Sequence, residues 1–302
     1  MKKILVIVGG GTRHIGPFVK EAKELNVSLL AASFSDIEYL TEGKDIVLKI
    51  KNEDIASFKA VYIRLVGKRY EEVALLVNYC KQHGVRVVDR VFEREDLIRI
   101  PIPKSIETKL LIEAGVPTPK TYFGKLANIR EKAPKIFGYP FVIKGTTGKQ
   151  GHAVWSPRNE EELDVLYEKL EALRKKEKMN FIAQEFAESS QRSRIFVVGG
   201  KVLAGITRPT RWRRRFIEKV NGEFPEGIRE QLDPIPEDEV KVAINAASAL
   251  QIDIGGVDVL RVDKTGELFV LEVNSAPRWD SVKTDTGLNV EKEIIKFLVG
   301  LS

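Results

Sequence analysis

The chain has 302 residues, of which 43% are hydrophobic and 30% charged, and its formal net charge is +6. This length allows two or three compact lobes with a substantial core, and the composition is that of an ordinary soluble globular protein. No run of 18 apolar residues occurs, so we expect no membrane-spanning helix. The single cysteine, Cys80, excludes an internal disulfide and indicates the reducing cytoplasm.

Residues 1 to about 95 alternate predicted strands and helices, which is typical of a small open α/β sheet with right-handed crossovers. Strands are predicted at Ile4–Val8, Val27–Ala32, Ile46–Ile50, Val61–Leu65 and Val85–Val88, and helices at Gly16–Leu25 and Tyr70–His83. Gly9–Gly11 follows the first strand, but His14 stands where a dinucleotide-binding motif has its third glycine. We therefore expect this turn to line a substrate crevice or simply to turn the chain.

A boundary is predicted at Ile100–Pro103, where two prolines precede a new helix. The second lobe is predicted to contain helices at Lys104–Glu113, Ile129–Phe137 and Glu160–Lys176, and strands at Lys120–Phe123, Phe141–Lys144 and His152–Trp155. The sequence thus indicates three domains, at residues 1–98, 99–180 and 181–302.

A glycine-rich run follows the second of these strands. Phe141–Lys144 delivers a lysine into Gly145–Gly151, whose backbone amides can approach an anion closely. It is not a Walker loop, because a strand and not a helix comes next. The functional hypothesis is a hairpin that closes on nucleotide phosphates, and the alternative is a mobile surface hairpin.

The excess positive charge is concentrated in one short stretch after the predicted strand Lys201–Thr207. This stretch contains Trp212 and Phe216 together with Arg208, Arg211, Arg213, Arg214 and Arg215. Arginine interleaved with aromatic residues suits phosphates and carboxylates as well as nucleic acid. No nucleic-acid-binding motif accompanies it, so an anionic small molecule or an acidic peptide is the favoured ligand, with a solvated basic strand as the alternative.

A predicted hairpin near the C-terminus has strands Val257–Val262 and Leu268–Val273, joined by Asp263–Gly266. The glycine of this turn can take a positive φ. The hairpin brings Asp258 opposite Glu272 or close to it.

Alternation along the second strand of this hairpin puts Val270, Glu272 and Asn274 on one face, with Leu271 and Val273 on the other. The carboxylates of Asp258 and Glu272 and the carboxamide of Asn274 are hard oxygen donors of the kind that Mg²⁺ prefers. The alternative is a strand whose polar side faces water.

Four motifs in this order resemble the ATP-grasp superfamily, and most closely its RimK-type α-L-glutamate ligases. They are Phe-Val-Ile-Lys with the glycine-rich run, Ile-Ala-Gln-Glu-Phe, Gly-Val-Asp-Val-Leu-Arg, and Leu-Glu-Val-Asn-Ser-Ala-Pro. The resemblance covers residues 104 to 302, and residues 58–64 also resemble that family's N-terminal domain. It implies an α/β fold with α+β lobes, namely an ATP-grasp fold preceded by an open α/β pre-ATP-grasp domain.

The resemblance also implies roles for the matching residues. ATP would be bound by Lys104, Lys144, Gly145, Thr147, Gly148, Gln150, Gly151, Gln184, Glu185, Phe186, Ala187 and Glu188. The ligands of Mg²⁺, or of Mn²⁺ in its place, would be Asp258, Glu272 and Asn274. The catalytic residues would be Lys144, Arg194 and Arg213.

Three departures from the family pattern lie on the acceptor side. The family's Asp-x-Arg is here Arg192–Arg194, its Trp-Arg-x-Asn is Trp212–Arg215, and its Asn-x-x-Pro-Gly is Asn274–Arg278. Each departure adds positive charge or removes a neutral polar group, so the resemblance specifies the ATP chemistry better than the acceptor.

The function implied is an ATP-dependent carboxylate–amine ligase that works through an acylphosphate. By resemblance it adds an amino acid to an acidic acceptor. Its partners would be ATP and small-molecule, amino-acid or acidic peptide substrates, in the cytoplasm, with no membrane and with a homo-oligomer left open. The alternatives are a D-Ala–D-Ala-type or kinase-like ATP-grasp enzyme, or a basic nucleic-acid-binding protein without catalysis.

Overall fold

The N-terminal strands form two sheets. The computed structural model describes residues 3–43, 45–97, 102–147, 153–209 and 231–300. Seven strands lie in the first part of the chain: β1 (Lys3–Val8), β2 (Ser28–Ser33), β3 (Ile37–Glu42), β4 (Asp45–Ile50), β5 (Glu53–Asp54), β6 (Ala60–Leu65) and β7 (Arg86–Val88). A parallel sheet has the order β2-β1-β6-β7, and a separate antiparallel sheet has the order β3-β4-β5.

The open parallel sheet confirms the prediction for four of its five strands. The fifth was placed wrongly, because Ile46–Ile50 lies in β4 and pairs antiparallel with β3. A parallel partner needs a crossover of about a dozen residues. Only two residues separate β3 from β4, and the first of them, Gly43, has a φ of +65°, so a hairpin is the connection that fits.

Two helices flank the parallel sheet, α1 (Gly16–Glu24) and α2 (Tyr70–Gln82). On α2 the residues Val73, Leu76, Val77 and Cys80 recur at helical spacing, and all four are buried in one hydrophobic cluster. The predicted ends of these helices, Leu25 and His83, each lie one residue beyond the observed end.

The central part of the chain forms a four-stranded antiparallel sheet with the order β10-β9-β11-β8. Its elements are α3 (Lys104–Glu113), β8 (Thr121–Phe123), α4 (Leu126–Phe137), β9 (Phe141–Gly145), β10 (Val154–Trp155), α5 (Glu160–Glu177) and β11 (Phe181–Glu185). Ile129, Phe141, Leu170 and Phe181 belong to a cluster that joins α4 and α5 to this sheet.

The remaining described residues form a second antiparallel sheet with the order β13-β12-β14-β15. Its elements are β12 (Gln191–Val198), β13 (Lys201–Pro209), α6 (Glu237–Ala249), β14 (Ile254–Arg261), β15 (Leu268–Asn274), α7 (Asp280–Thr286) and α8 (Val290–Val299). Val257 packs in one cluster with Leu5 and Ala243, while Phe196 packs in another with Val6 and Leu298. This C-terminal sheet therefore shares its core with the N-terminal parallel sheet.

A β-bulge changes which residues of β15 share a face. Asp258 pairs with Glu272, but the next residue of β14, Val259, pairs with Val270, so Leu271 is the extra residue. Val270 consequently packs with Val257 and Val259 in the same cluster. The prediction that strict alternation places Val270 on the face of Glu272 is wrong, because the bulge shifts the register by one residue.

None of the described helices is long and apolar enough to cross a membrane.

Candidate active site

The hairpin of β14 and β15 places two carboxylates side by side. Asp258 lies directly opposite Glu272, and Asn274 lies opposite Gly256. Gly266 in the connecting turn has a φ of +71°, as a hairpin glycine can. The pairing of Asp258 with Glu272 is the one expected from the sequence, and the role of the three oxygen-bearing side chains as one site stays a prediction.

Asp258 is almost completely buried, with 1% of its surface exposed. Arg194 lies opposite it on β12 and donates two hydrogen bonds, from Nε to Oδ1 at 2.5 Å and from Nη2 to Oδ2 at 2.7 Å. Arg192, two positions earlier on the same strand, brings a second guanidinium close, with its Nη1 3.4 Å from Asp258 Oδ2. Bidentate pairing of this kind fixes the orientation of the carboxylate as well as its charge.

One turn of α3 holds the neighbouring strand β15. Lys104 Nζ donates to Glu272 Oε2 at 2.5 Å, and the backbone N–H of Val273 donates to Glu107 Oε1 at 2.6 Å. β15 is an edge strand, so this N–H has no strand partner on its outer side. Glu107 therefore caps the edge between the two residues, Glu272 and Asn274, whose side chains form the hairpin site.

Lys144, the penultimate residue of the buried strand β9, lies beside the same groups. Burial, followed by repulsion from Lys104, lowers the pKa of Lys144 to about 8. Burial raises the pKa of Glu107 to about 7 against the effect of Lys104. Burial also opposes ionisation of Glu272, yet Lys104 and the Asn274 side chain hold its pKa at about 2. Glu272 is therefore ionised at neutral pH, whereas the charge on Lys144 is costly until an anion binds.

The donor set of this hairpin fits Mg²⁺. Within the described ranges there is no group of three or more His, Cys, Asp or Glu side chains placed to hold a metal ion, and the third oxygen donor proposed beside Asp258 and Glu272 is the carboxamide of Asn274. Asp258 and Glu272 would supply two hard oxygen ligands, and Mg²⁺ usually keeps further positions for phosphate oxygens and water. Asp258 forms an ion pair with Arg194, and Glu272 forms one with Lys104.

The strand β11 carries the predicted adenine hinge. Gln184 is 4% exposed, and its Nε2 donates to Thr121 Oγ1 at 2.8 Å. Its Oε1 is buried without a hydrogen-bond partner among the described residues. Such an acceptor is costly unless a ligand donor completes it.

The two acidic residues of the hinge already have protein partners. Glu185 Oε1 accepts from the backbone N–H of Lys120 at 2.5 Å. The exposed Glu188 forms an ion pair with Lys264 at 3.0 Å. Phe186 and Ala187 follow β11 directly, half-buried, between these two carboxylates.

The base of the glycine-rich run is attached to α3. The backbone N–H of Lys104 donates to Thr146 O at 2.9 Å, so the run begins beside the first residue of that helix. Gly145 is closely packed, since a Cβ there would lie 2.3 Å from the sulfur of Met179, and the Met179 side chain would have to move to admit it. Thr147 is half-buried at the end of the described part. Gly148, Gln150, Gly151 and Arg213 lie outside the described residues, as do Arg211, Arg214 and Arg215.

Sequence reasoning missed two residues of this site. Glu107 follows Lys104 by three positions on α3, and this spacing on one helix face was the available signal. Arg192 precedes Arg194 by two positions on β12, the spacing that puts both side chains on one face of a strand. Arg192 was noted only as a departure from the family pattern, yet its guanidinium lies beside Asp258.

Comparison with known proteins identifies the family to which the chain belongs. Residues 103–298 match the model of the RimK-like ATP-grasp domain. A probable alpha-L-glutamate ligase of Vibrio parahaemolyticus serotype O3:K6 is 31% identical over 262 residues, which cover 83% of this chain and 80% of that protein. One from Vibrio atlanticus is 32% identical over 197 residues, covering 63% of this chain, so the chain spans about 60% of that relative's length.

Solved structures share the fold over the whole chain. ATP-grasp ligase PsnB complexed with its minimal precursor has a TM-score of 0.73 at 15% identity and covers 100% of this chain and 99% of its own. A RiPP-associated ATP-grasp ligase of Chryseobacterium gregarium, in complex with ADP and a leader and core peptide, has a TM-score of 0.69 at 18% identity and covers 100% and 98%. The fold is therefore that of ATP-grasp ligases.

The chain belongs to the RimK-like ATP-grasp family. This membership confirms the family and the fold expected from the four motifs, and it supports the expected class of enzyme, an ATP-dependent carboxylate–amine ligase.

Proposed function

We propose that this chain is an Mg²⁺-dependent ligase that uses ATP to join a carboxylate to an amine through an acylphosphate. The observation that carries the proposal is the charge balance around the hairpin. The carboxylates of Asp258, Glu272 and Glu107 are outnumbered by four cations, which are Lys104, Lys144, Arg192 and Arg194. A site with this surplus suits a triphosphate and the transferring phosphoryl group.

Each part of ATP has a candidate partner in this chain. The ammonium of Lys144, held in a desolvated position, would contact the phosphates, with the backbone from Gly145 to Gly151 covering them. At the other end, the orphaned Oε1 of Gln184 would accept from the amino group of the base. Asp258, Glu272 and Asn274 would hold Mg²⁺, which supplies Lewis-acid stabilisation of the phosphoryl group when bound.

The chemistry asks little covalent work of the protein. An oxygen of the substrate carboxylate attacks the γ-phosphorus of ATP, which breaks the bond to the β-phosphate oxygen and releases ADP. The amine then attacks the acyl carbon, expels inorganic phosphate, and loses a proton to leave the amide. Arg194 and Lys144 would stabilise the charge of the transferring group. No nucleophilic side chain of the protein is needed.

The substrates are proposed by analogy. The names of the Vibrio relatives and the peptide complexes of the structural neighbours favour an amino acid as the amine and an acidic acceptor. A cytoplasmic location and a homo-oligomeric state remain predictions from the sequence.

ADP release with hydroxylamine trapping tests the reaction directly. The purified chain would be incubated with ATP, Mg²⁺ and a library of carboxylates, with hydroxylamine as a general amine. We expect a hydroxamate and ADP in equal amounts, both of which depend on the carboxylate. The matched control is Asp258→Asn, which keeps the shape of the side chain but removes its charge.

Other results would contradict the proposal in recognisable ways. Phosphate transfer to a hydroxyl group without hydroxamate formation would indicate a kinase-like enzyme. ATP-independent, salt-sensitive nucleic-acid binding without ADP release would indicate a basic binding protein.

A further inference from the structure

The hairpin of β14 and β15 has one closed end and one open end. At the closed end the strands are joined by the turn Asp263–Gly266. At the open end β14 begins at Ile254, β15 finishes at Asn274, and Asn274 pairs with Gly256. Because no turn joins the strands at the open end, contacts with the rest of the chain must fix the two chain ends there.

The N-terminal parallel sheet contacts the beginning of β14 through Asp89. This residue directly follows β7 and is completely buried. Its Oδ1 accepts from the backbone N–H groups of Asp253 at 3.0 Å and Ile254 at 2.7 Å. Its Oδ2 is buried without a hydrogen-bond partner in the part of the chain that the structure describes. A buried carboxyl with an unpaired oxygen costs stability, so its two hydrogen bonds to the backbone are the useful contribution of this side chain.

The same sheet contacts the chain beyond the end of β15 through Arg64. This residue lies near the end of β6, donates from Nη2 to Pro277 O at 2.6 Å, and lies over the ring of Trp279, 4.1 Å from its centroid. Pro277 in turn packs on β14, because a Cβ on Gly256 would lie 2.9 Å from Cβ of Pro277. Since Gly256 is the residue opposite Asn274, the contact of Arg64 reaches the open end of the hairpin.

Arg64 and Asp89 lie at one edge of the parallel sheet. Strands β6 and β7 are neighbours, and Tyr62 pairs with Val88, so both residues stand at the carboxyl ends of their strands. Burial raises the pKa of Asp89 well above its usual range, and the positive charge of Arg64 acts against this shift. The two side chains are therefore close enough to interact, and together they contact both chain ends of the hairpin. We call Arg64 and Asp89 the clamp residues.

We propose that the clamp residues are positioning residues of the metal site, which fix the open end of the hairpin and thereby set the spacing of Asp258, Glu272 and Asn274 for Mg²⁺. This inference rests on the proposed function and extends the site to the N-terminal sheet, which contributes none of the three metal ligands. Loss of residues that orient metal ligands typically lowers metal affinity or activity about 10- to 100-fold.

Arg64 is tested by calorimetric titration of Mg²⁺ into the full chain saturated with ADP. Arg64→Met should raise the Kd for Mg²⁺ about 10-fold or more, and Arg64→Lys, which keeps a cationic donor, should recover part of the affinity. The matched control is Arg86→Met. Arg86 on β7 lies over the ring of Phe297 of α8, 4.4 Å from its centroid, so this variant removes a similar contact between the two parts of the chain. It should leave the Kd for Mg²⁺ unchanged even if Tm falls.

Asp89 is tested in the same titration. Asp89→Asn keeps an acceptor for the backbone N–H groups of Asp253 and Ile254 and should bind Mg²⁺ as wild type does. Asp89→Leu removes the acceptor and should raise the Kd for Mg²⁺ about 10-fold. In the hydroxamate assay, Asp89→Leu and Arg64→Met should need more Mg²⁺ for half-maximal rate, while their affinity for ADP without Mg²⁺ stays that of wild type.

Two outcomes would overturn the inference. One is an equal Kd for Mg²⁺ in Arg64→Met and Arg86→Met, both shown to be folded by circular dichroism, and the other is a wild-type Kd in folded Asp89→Leu. If one of these variants does not fold, the other clamp residue decides the question. Failure of the proposed function is distinguishable, because wild-type protein would then bind no Mg²⁺ in the presence of ADP or would form no hydroxamate.

Discussion

Replacing Lys144 by methionine should stabilise the free protein while weakening ATP binding. Burial and Lys104 lower the pKa of Lys144 from 10.5 to about 8. At about 1.4 kcal/mol per pKa unit, holding this ammonium charged in the fold costs about 3 kcal/mol at neutral pH. Methionine removes the charge, and it also removes the favourable interaction of Lys144 with the carboxylates of Glu272 and Glu107. Because the side chain is partly exposed, we expect a net gain of about 1–2 kcal/mol, or roughly 2–3 °C in Tm for a chain of this length.

The pH dependence of stability gives the same argument a second test. The folded pKa of Lys144 lies below its unfolded value, so the unfolded state binds more protons between about pH 8 and 10.5. Wild-type stability should therefore rise relative to Lys144→Met through that window, and the Tm difference should shrink. Nucleotide affinity should fall about 10- to 100-fold in the variant, since a charge-assisted contact contributes about 1.5–3 kcal/mol.

Thermal melts from pH 6 to 10 and calorimetry with ATP and Mg²⁺ measure both effects. The exposed Lys169 provides the control, since Lys169→Met should change neither quantity. A Lys144→Met protein that is less stable at every pH and binds ATP within two-fold of wild type would refute the reasoning.

Further substitutions test the rest of the site and the glycine turn after β1. Asp258→Asn and Glu272→Gln should each abolish Mg²⁺-dependent turnover without unfolding the protein. If either variant turns over at the wild-type rate at saturating Mg²⁺, the assignment of these residues as metal ligands is wrong. Glu107→Gln should keep an acceptor for the backbone N–H of Val273 and resemble wild type in stability. Glu107→Leu removes this acceptor, so it should lower the free energy of unfolding by about 1–3 kcal/mol in denaturant melts and raise the Mg²⁺ concentration needed for half-maximal activity. Because the pKa of Glu107 is raised to about 7, its contribution to stability is lost as pH rises from about 4.5 through 7, and Glu107→Gln should remove that dependence. Gly9→Ala should destabilise the protein by about 1–3 kcal/mol, because its Cβ would lie 2.0 Å from the backbone oxygen of Val66. Gly10→Ala should change Tm little, because a Cβ there faces open space. Equal Tm values for the two variants would contradict the close packing of Gly9 against Val66.

Local patterns predicted much of the fold. Hydrophobic periodicity located α2 because its core face repeats every three to four residues, and the buried strand β9 was evident as a short apolar run ending in Lys144. The hairpin itself was predictable from its turn, but the register of that turn alone would pair Asp258 with Leu271, and the bulge at Leu271 is what places Asp258 opposite Glu272.

Pattern reasoning failed where a register or a partner depended on the rest of the chain. The bulge at Leu271 turned Val270 into the core, although alternation placed it beside Glu272. β4 does not belong to the parallel sheet, because its connection to β3 is too short for a crossover. Neither error reflects a misread strand, since both segments are extended.

The sequence by itself determined the kinds of element, the hairpin that carries Asp258 and Glu272, and the order of motifs that marks an ATP-grasp protein. These features are local, so propensity, periodicity and turn geometry specify them. Only the tertiary structure decided which cations meet which carboxylates. Lys104 reaches Glu272 across 168 positions of sequence and Glu107 reaches Val273 across 166, because packing of α3 on an edge strand brings them together. No local pattern encodes such contacts, and they set the charge and the geometry of the site.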